Sequence, residues 1–114
     1  MPHTASLASD NLTLEIAGGK GRSLAHLIAS GFDVPHGFVV TTSAYRAFTR
    51  DIQSQILSLA KPALVDGAPS FERSASDISS LFDDTTLSDD IRRAITATYE
   101  SLPEGTPVAV RSSA

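Results

Sequence analysis

The hydrophobic pattern of the chain changes its period at a glycine cluster, Gly18-Gly-Lys-Gly21, and this change restricts the local structure on either side. Before the cluster, apolar and polar residues alternate over positions 11–16, which predicts a short extended segment. After it, apolar residues recur at helical spacing until Gly31, a residue type that readily adopts the left-handed conformation ending many helices. The cluster is therefore predicted to begin a helix of about three turns.

The rest of the chain contains further helical and extended patterns. Apolar spacing and capping residues predict three further helices. The first begins after Thr41 or Thr42 and extends towards Pro62, with a possible break between Arg50 and Ile52. The other two are expected over 74–82 and over Asp89–Ser101, the latter capped by Ser88. Short strands are expected at Phe38–Val40 and Val108–Val110, with a connecting loop at 62–70. Tyr45 and Phe48 lie at helical spacing and are expected in the core. These patterns predict an α+β fold that is mostly helical.

The composition is that of a globular chain of one domain, with 114 residues, 41% of them hydrophobic and 19% charged. A net charge of −4 argues against a nucleic-acid binder, which needs a basic face to replace the counterions of the phosphate backbone. The chain has no cysteine, no apolar run of membrane-spanning length and no secretory signal pattern. We therefore expect a cytoplasmic protein with a flexible N-terminus over 1–10, one domain over 11–114 and no membrane partner.

Two clusters at opposite ends of the chain carry groups that suit an anion. Gly18-Gly-Lys-Gly21 leads into a helix, so backbone N–H groups and the Lys20 ammonium are expected to converge on a negative charge. Arg111, followed by Ser112 and Ser113, presents a planar guanidinium and two hydroxyls after an apolar run. Each cluster also has a purely structural interpretation: a glycine turn with a solvated lysine, and a surface strand end with an ion pair.

The glycine cluster does not match the common phosphate-binding motifs. Its lysine is followed by Gly21 where a Walker motif has serine or threonine, and the third glycine of a dinucleotide fingerprint is replaced by Leu24. The remaining polar residues favour structural roles. His26 and His36 are expected in boundary packing and in an exposed turn, and the paired aspartates at 83–84 and 89–90 in a solvated loop and a helix start.

The order of these motifs nevertheless resembles the start of the nucleotide-binding domain of the pyruvate phosphate dikinase family, which includes phosphoenolpyruvate synthases and rifampicin phosphotransferases. The motifs that carry the resemblance are Gly18-Gly-Lys-Gly21, Gly31-Phe-Asp-Val-Pro-His-Gly-Phe-Val-Val-Thr-Thr42 and Val108-Ala-Val-Arg-Ser-Ser-Ala114. They cover roughly residues 16–48 and 107–114, whereas residues 50–106 match only in helical character.

The resemblance implies that the chain is the N-terminal subdomain of an ATP-grasp domain. It implies that Lys20 and Arg111 are the catalytic cations that contact the phosphates of ATP. Gly18, Gly19 and Gly21 are then expected to shape the backbone beside the lysine. Ser112 and Ser113 are expected to take a supporting position near the phosphates.

The resemblance also implies a reaction in which ATP phosphorylates a histidine on a separate domain. The ligands of Mg²⁺, the adenine pocket, the second ATP-grasp subdomain and the phosphohistidine domain are expected beyond Ala114, so the 114-residue chain by itself is expected to be inactive. Two alternatives stay open from the sequence. One is a non-catalytic helical binding module derived from that domain, and the other is a small independent anion-binding protein.

Overall fold

The structure is a computed structural model that describes residues 2–113 of the chain. These residues form five helices and two small antiparallel sheets, which confirms the predicted α+β class. In chain order the elements are β1 (Thr4–Ser6), α1 (Leu14–Ala29), β2 (Phe38–Val40), α2 (Thr42–Thr49), α3 (Gln53–Leu59), β3 (Ala63–Val65), β4 (Ala68–Ser70), α4 (Glu72–Asp84) and α5 (Asp89–Glu100). The contacts divide the described residues into two compact units, one formed by 2–47 with 88–113 and the other by 48–87.

The sheet of the first unit pairs β1 with β2 in antiparallel register, with Ala5 opposite Val39. Backbone bonds extend the pairing beyond both strand ends, because the N–H of Thr41 donates to the C=O of His3 at 2.9 Å and the N–H of Leu7 donates to the C=O of Gly37 at 3.1 Å. Residues 4–6 were expected to be loose, and the structure instead orders them as β1. Its three small residues are too few to give a periodic signal, and the strand depends on a partner more than thirty positions away.

The core of this unit lies where α1 packs on the sheet. Leu7, Leu12, Ala17 and Val39 are buried together, with Ile16 and Ile28 partly buried against them. The extended segment predicted over 11–16 is wrong, because α1 already begins at Leu14 after the N-cap Thr13. The side chain of Thr13 accepts the N–H of Ile16 and so stabilises the first turn. Leu12 and Ile16 are four positions apart, a spacing that serves one helix face as well as one strand face.

The end of α1 confirms the sequence prediction. Gly31 has a φ of 89°, its N–H donates to the C=O of Ile28 at 3.1 Å, and the N–H of Phe32 donates to the C=O of Leu27 at 3.0 Å. These two bonds form a Schellman motif, in which a left-handed glycine satisfies the last carbonyls of a helix. Ser88 likewise caps α5 as predicted, since its Oγ accepts the N–H of Ile91.

The second unit contains a hairpin that sequence reasoning assigned to a loop. β3 and β4 pair in antiparallel register across Asp66 and Gly67, whose φ values of 51° and 80° are those of a type I′ turn. An Asp-Gly pair between two short apolar runs predicts such a turn, so the sequence did contain the signal. The break between α2 and α3 at residues 50–52 is as expected, and the rings of Phe48 and Phe82 pack with centroids 5.6 Å apart.

Two further expectations differ from the structure. Tyr45 was expected in the core, yet it is 57% exposed on the solvent side of α2. The predicted strand Val108–Val110 is wrong: both sheets within residues 2–113 are two-stranded, and Val110 is 95% exposed. An apolar β-type sequence forms a strand only where a neighbouring strand accepts its backbone bonds, and no such neighbour lies beside it in the described residues.

Thr41 joins β2 to α2 and offers a test of this architecture. Its side chain is 1% exposed, and its hydroxyl donates to the C=O of Pro2 at 2.8 Å while accepting the N–H of Ala44 at 3.4 Å. We expect Thr41→Val to lower the free energy of unfolding by about 2 kcal/mol, because it removes a helix cap and the shorter of the two hydroxyl hydrogen bonds to the C=O of Pro2, which Ser43 also donates to at 3.3 Å. Urea denaturation measures this loss. Thr41→Ser keeps the hydroxyl and should cost about 1 kcal/mol or less; equal losses in the two variants would contradict this role.

Candidate functional site

The predicted glycine cluster lies inside α1 and bends it. Gly18 has φ 73° and ψ 178°, a backbone conformation that is essentially restricted to glycine, and it separates the helical turn at 14–17 from the longer helix at 19–29. A helix interrupted in this way has a second N-terminus at the bend. The glycine cluster therefore begins a helix, as predicted, but it does so after another helical turn instead of after a strand.

The C-terminal segment of the chain docks at this bend through Ser113. The Oγ of Ser113 accepts the N–H of Gly21 at 2.8 Å, and its hydroxyl donates to the C=O of Ala17. The C=O of Ser113 accepts the N–H of Lys20 at 3.3 Å. The two clusters that the sequence placed at opposite ends of the chain are thus in direct contact, 92 positions apart for the bond to Gly21.

Two glycines make room for this contact. A Cβ on Gly18 would stand 2.4 Å from the carbonyl oxygen of Ser113, far inside any tolerable contact. A Cβ on Gly21 would stand 3.2 Å from Ser113 Oγ and 3.0 Å from Cγ1 of Val39. Gly21 therefore lets α1 approach both the C-terminal segment and β2, whereas Gly19 has no comparably close neighbour, since its nearest would be 3.9 Å away.

The bonds to Ser113 change the expected role of the glycine backbone. We expected the N–H groups at the start of this helix to converge on an anion, but those of Lys20 and Gly21 are bonded to Ser113. A serine hydroxyl and a carbonyl acting as acceptors at a helix start are the usual components of an N-cap. Two N–H groups of the bend are thus engaged by the protein itself, and the exposed side chains of Lys20 and Arg111 remain available to a ligand.

Lys20 and Arg111 are both exposed, and neither forms an ion pair with another residue among 2–113. The bond between Lys20 and Ser113, together with standard backbone dimensions, places the Cα atoms of Lys20 and Arg111 within about 15 Å of each other. Ser112, between the docked serine and the arginine, is also exposed. Two long cationic side chains that begin this close together can reach a single extended anion.

Other features of the described residues do not coincide with this site. A cavity of about 330 Å³ lies between positions 8–12 and α1, and Asp10, Arg22 and His26 are among its lining residues, but it includes none of the predicted site residues. Within 2–113, no group of three or more His, Cys, Asp or Glu side chains is arranged to hold a metal ion. In the same range, every helix is too short or too polar to cross a membrane.

Sequence reasoning missed two participants in the site. The carbonyl of Ala17 accepts the hydroxyl of Ser113, and Val39 packs beneath Gly21. Every residue has a backbone carbonyl, so the residue type at position 17 does not indicate its hydrogen-bond partner. A buried valine on a strand is likewise indistinguishable in sequence from any other core residue. Only the Gly-Gly-x-Gly spacing hinted that another part of the chain comes close.

Comparison with known protein families identifies a match that includes both the glycine cluster and the C-terminal segment. The family described as pyruvate phosphate dikinase, AMP/ATP-binding domain, matches residues 14–114. No solved structure was found to match the chain.

Three relatives illustrate the similarity. A phosphoenolpyruvate synthase of Aeropyrum pernix is 38% identical over 89% of this chain and 13% of its own length. A probable phosphoenolpyruvate synthase of Methanocaldococcus jannaschii is 34% identical over 91% of the chain and 9% of its own length. A rifampicin phosphotransferase of Streptomyces sviceus is 34% identical over 92% of the chain and 12% of its own length.

The chain thus spans only about an eighth of the length of such relatives, but nearly all of the chain is matched. The match begins at Leu14, where α1 begins, and runs through the bend and the docked C-terminal segment. On the strength of this match, the chain belongs to the family of pyruvate phosphate dikinase AMP/ATP-binding domains.

Proposed function

We propose that this chain forms part of the ATP site of a phosphotransferase of the phosphoenolpyruvate synthase type. The observation that supports the proposal is the docking of Ser113 at the bend of α1, which keeps the Cα atoms of Lys20 and Arg111 within about 15 Å of each other. The family description supports an adenine nucleotide as the ligand. The two cations supply the opposite charge that a polyphosphate requires.

Lys20 and Arg111 are proposed to neutralise negative charge on the terminal phosphates. Phosphoryl transfer depends mostly on positioning and on electrostatic stabilisation, so two cations held at a defined spacing suit this chemistry. The guanidinium of Arg111 can donate two parallel hydrogen bonds to one phosphate, whereas the ammonium of Lys20 acts as a compact point charge. We propose that Ser112, which is exposed, adds a supporting hydroxyl contact.

The glycines contribute shape instead of direct phosphate contacts. Gly18 and Gly21 admit Ser113 to the bend, where its carbonyl, two residues along the chain from Arg111, accepts the N–H of Lys20. Gly19, between Gly18 and Lys20, keeps the bend free of a side chain beside the lysine. We propose that this arrangement leaves the face above the bend open to the nucleotide.

The remaining components of the reaction are assigned to parts of the relatives that this chain does not match. The relatives are several times longer than the matched segment, which leaves room for a second ATP-grasp subdomain and a phosphohistidine domain. Mg²⁺ supplies charge neutralisation for the phosphates in such reactions. We place its carboxylate ligands outside residues 2–113, and a histidine on the separate domain is proposed as the phosphoryl acceptor. A cytoplasmic location stays a prediction.

A titration of the 114-residue chain tests the proposal directly. We expect ATP to bind with a dissociation constant on the order of 1 mM, because two charge-assisted contacts without an adenine pocket give weak affinity. Calorimetry or chemical-shift changes at Lys20 and Arg111 measure this binding. Adenosine should bind at least about tenfold more weakly, since it lacks the phosphates that the two cations contact.

The same samples provide a control for catalysis. We expect no ATP hydrolysis by the chain, with or without Mg²⁺, because the proposed metal ligands and acceptor are assigned to other segments. Appreciable hydrolysis would contradict the proposal that this chain supplies only part of the ATP site. Equal affinity for adenosine and ATP would contradict the assignment of the phosphates to Lys20 and Arg111.

A further inference from the structure

We infer that Ser113 is a positioning residue that determines the spacing between Lys20 and Arg111, and that its hydroxyl is not itself a phosphate ligand. This inference rests on the proposed function, which assigns both cations to one nucleotide. It revises the supporting phosphate contact that the sequence suggested for Ser113. The argument follows from the hydrogen bonds of the serine and from its place at the bend of α1.

The hydroxyl of Ser113 has no donor left for a phosphate. A serine hydroxyl carries a single hydrogen, and that of Ser113 is donated to the C=O of Ala17. Its oxygen also accepts the N–H of Gly21 at 2.8 Å. A phosphate oxygen is an acceptor and needs a donor, so the side chain of Ser113 cannot bind one while it is docked.

The contacts of Ser113 connect the two halves of the bent helix. Ala17 belongs to the turn before Gly18, whereas Lys20 and Gly21 belong to the helix after it. Ser113 contacts both sides, through its hydroxyl and through its carbonyl. Because the N–H of Lys20 is one of these contacts, the docked serine defines the starting point of the lysine side chain.

The same serine holds Arg111, which is two residues away in the chain. Residues 107–112 form neither a helix nor a strand, and the apolar side chain of Val110 is almost fully exposed. A segment with so few contacts samples many conformations unless a specific contact holds it. Ser113 is the contact that limits the positions open to Arg111, and its loss should separate the two cations for much of the time.

A distance measurement tests this role without any nucleotide. The chain has no cysteine, so spin labels can be attached specifically to Ser23→Cys on α1 and to Val110→Cys beside the arginine. Both positions are exposed. We expect a narrow distribution of label distances with Ser113 present, a clearly broader one with Ser113→Ala, and recovery of the narrow distribution with Ser113→Thr, which keeps the hydroxyl.

Nucleotide affinity provides the second readout, measured on unlabelled chains. We expect Ser113→Ala to weaken ATP binding about tenfold, because Arg111 then occupies its binding position only part of the time. Ser113→Thr should stay within about threefold of the original chain. Ser23→Ala makes the same chemical change at an exposed position of α1, the helix that Ser113 contacts, and should leave the affinity unchanged. Circular dichroism confirms that each variant keeps its helices.

The outcomes separate this inference from the proposed function. An unchanged distance distribution in Ser113→Ala overturns the inference. So does a broadened distribution with unchanged ATP affinity, since Ser113 would then hold the segment without affecting the site. Equal ATP binding by the original chain and Lys20→Ala overturns the proposed function instead, and in that case the distance measurement still decides whether Ser113 positions Arg111.

Discussion

Replacing either Lys20 or Arg111 by alanine is expected to lower kcat/KM for ATP by about 10- to 150-fold in a phosphotransferase of the proposed type that contains this chain. Each substitution removes a charge-assisted contact, and such contacts contribute roughly 1.5–3 kcal/mol, which corresponds to this range of rate. Both side chains are exposed and form no ion pair with another described residue, so their removal should leave the fold intact. Steady-state kinetics with varied ATP concentration measures the effect.

The chain offers matched controls for both substitutions. Lys61 is the only other lysine and is exposed, and Arg73 is an exposed arginine on α4. Lys61→Ala and Arg73→Ala change the net charge by the same amount as the site variants. If they lower kcat/KM as much as the site variants do, the effect is one of overall charge and the assigned contacts are wrong.

Charge-conserving variants and a double variant distinguish the two cations. Arg111→Lys keeps the charge but loses the planar pair of donors, so we expect it to recover only part of the activity. The loss of transition-state stabilisation, calculated from kcat/KM, should differ between the double variant Lys20→Ala with Arg111→Ala and the sum of the two single variants. Groups that contact one ligand are coupled, so their effects do not add. Strict additivity would indicate that the two cations act on separate targets.

Gly18→Ala is expected to lower the free energy of unfolding by about 3 kcal/mol or more. The backbone conformation of Gly18, with φ 73° and ψ 178°, strains any other residue by roughly 1–3 kcal/mol. The added Cβ would also stand 2.4 Å from the carbonyl oxygen of Ser113, so the C-terminal segment must leave the bend and lose its hydrogen bonds. The loss should appear as a fall in Tm of about 10 °C or more.

Gly31→Ala is the matched control for this substitution. Gly31 also has a positive φ, 89°, but an added Cβ would find open space there. Its replacement should therefore cost only the backbone strain, about 1 kcal/mol. The difference between the two variants reports the displacement of Ser113. If the two substitutions cost the same, Ser113 does not stabilise the bend. Amide exchange at Lys20 and Gly21 should speed up in Gly18→Ala and stay slow in Gly31→Ala.

Several elements could be predicted from the sequence because their causes are local. The end of α1 follows from a glycine after the last apolar residue of the helical pattern, and the start of α5 follows from Ser88 before two aspartates. The strand Phe38–Val40 and the helix cap Thr41 were likewise predictable from the residues of their own segment. Each of these depends on a few neighbouring residues, so the pattern is sufficient.

Errors arose where a segment depends on distant partners or where two periods overlap. β1 consists of three small residues, two of them polar, and exists because β2 pairs with it. The apolar run Val108–Val110 has high strand propensity but no neighbouring strand in the described residues, so it stays irregular. The alternation over 11–16 favours a strand, but Leu12 and Ile16 also share one helix face, and in the structure Thr13 caps a helix that leaves Leu14 exposed. The hairpin at 63–70 was predictable from Asp66-Gly67.

From the sequence alone, Lys20 and Arg111 could be identified as the candidate charged residues. The glycine spacing also showed where the backbone can bend without steric strain. Only the tertiary structure decided that Ser113 docks at this bend and occupies the N–H groups expected to bind an anion. The bonds from Ser113 to Ala17 and Gly21 span 96 and 92 positions of the chain. Contacts at such separations depend on how every intervening element packs, which no local pattern encodes.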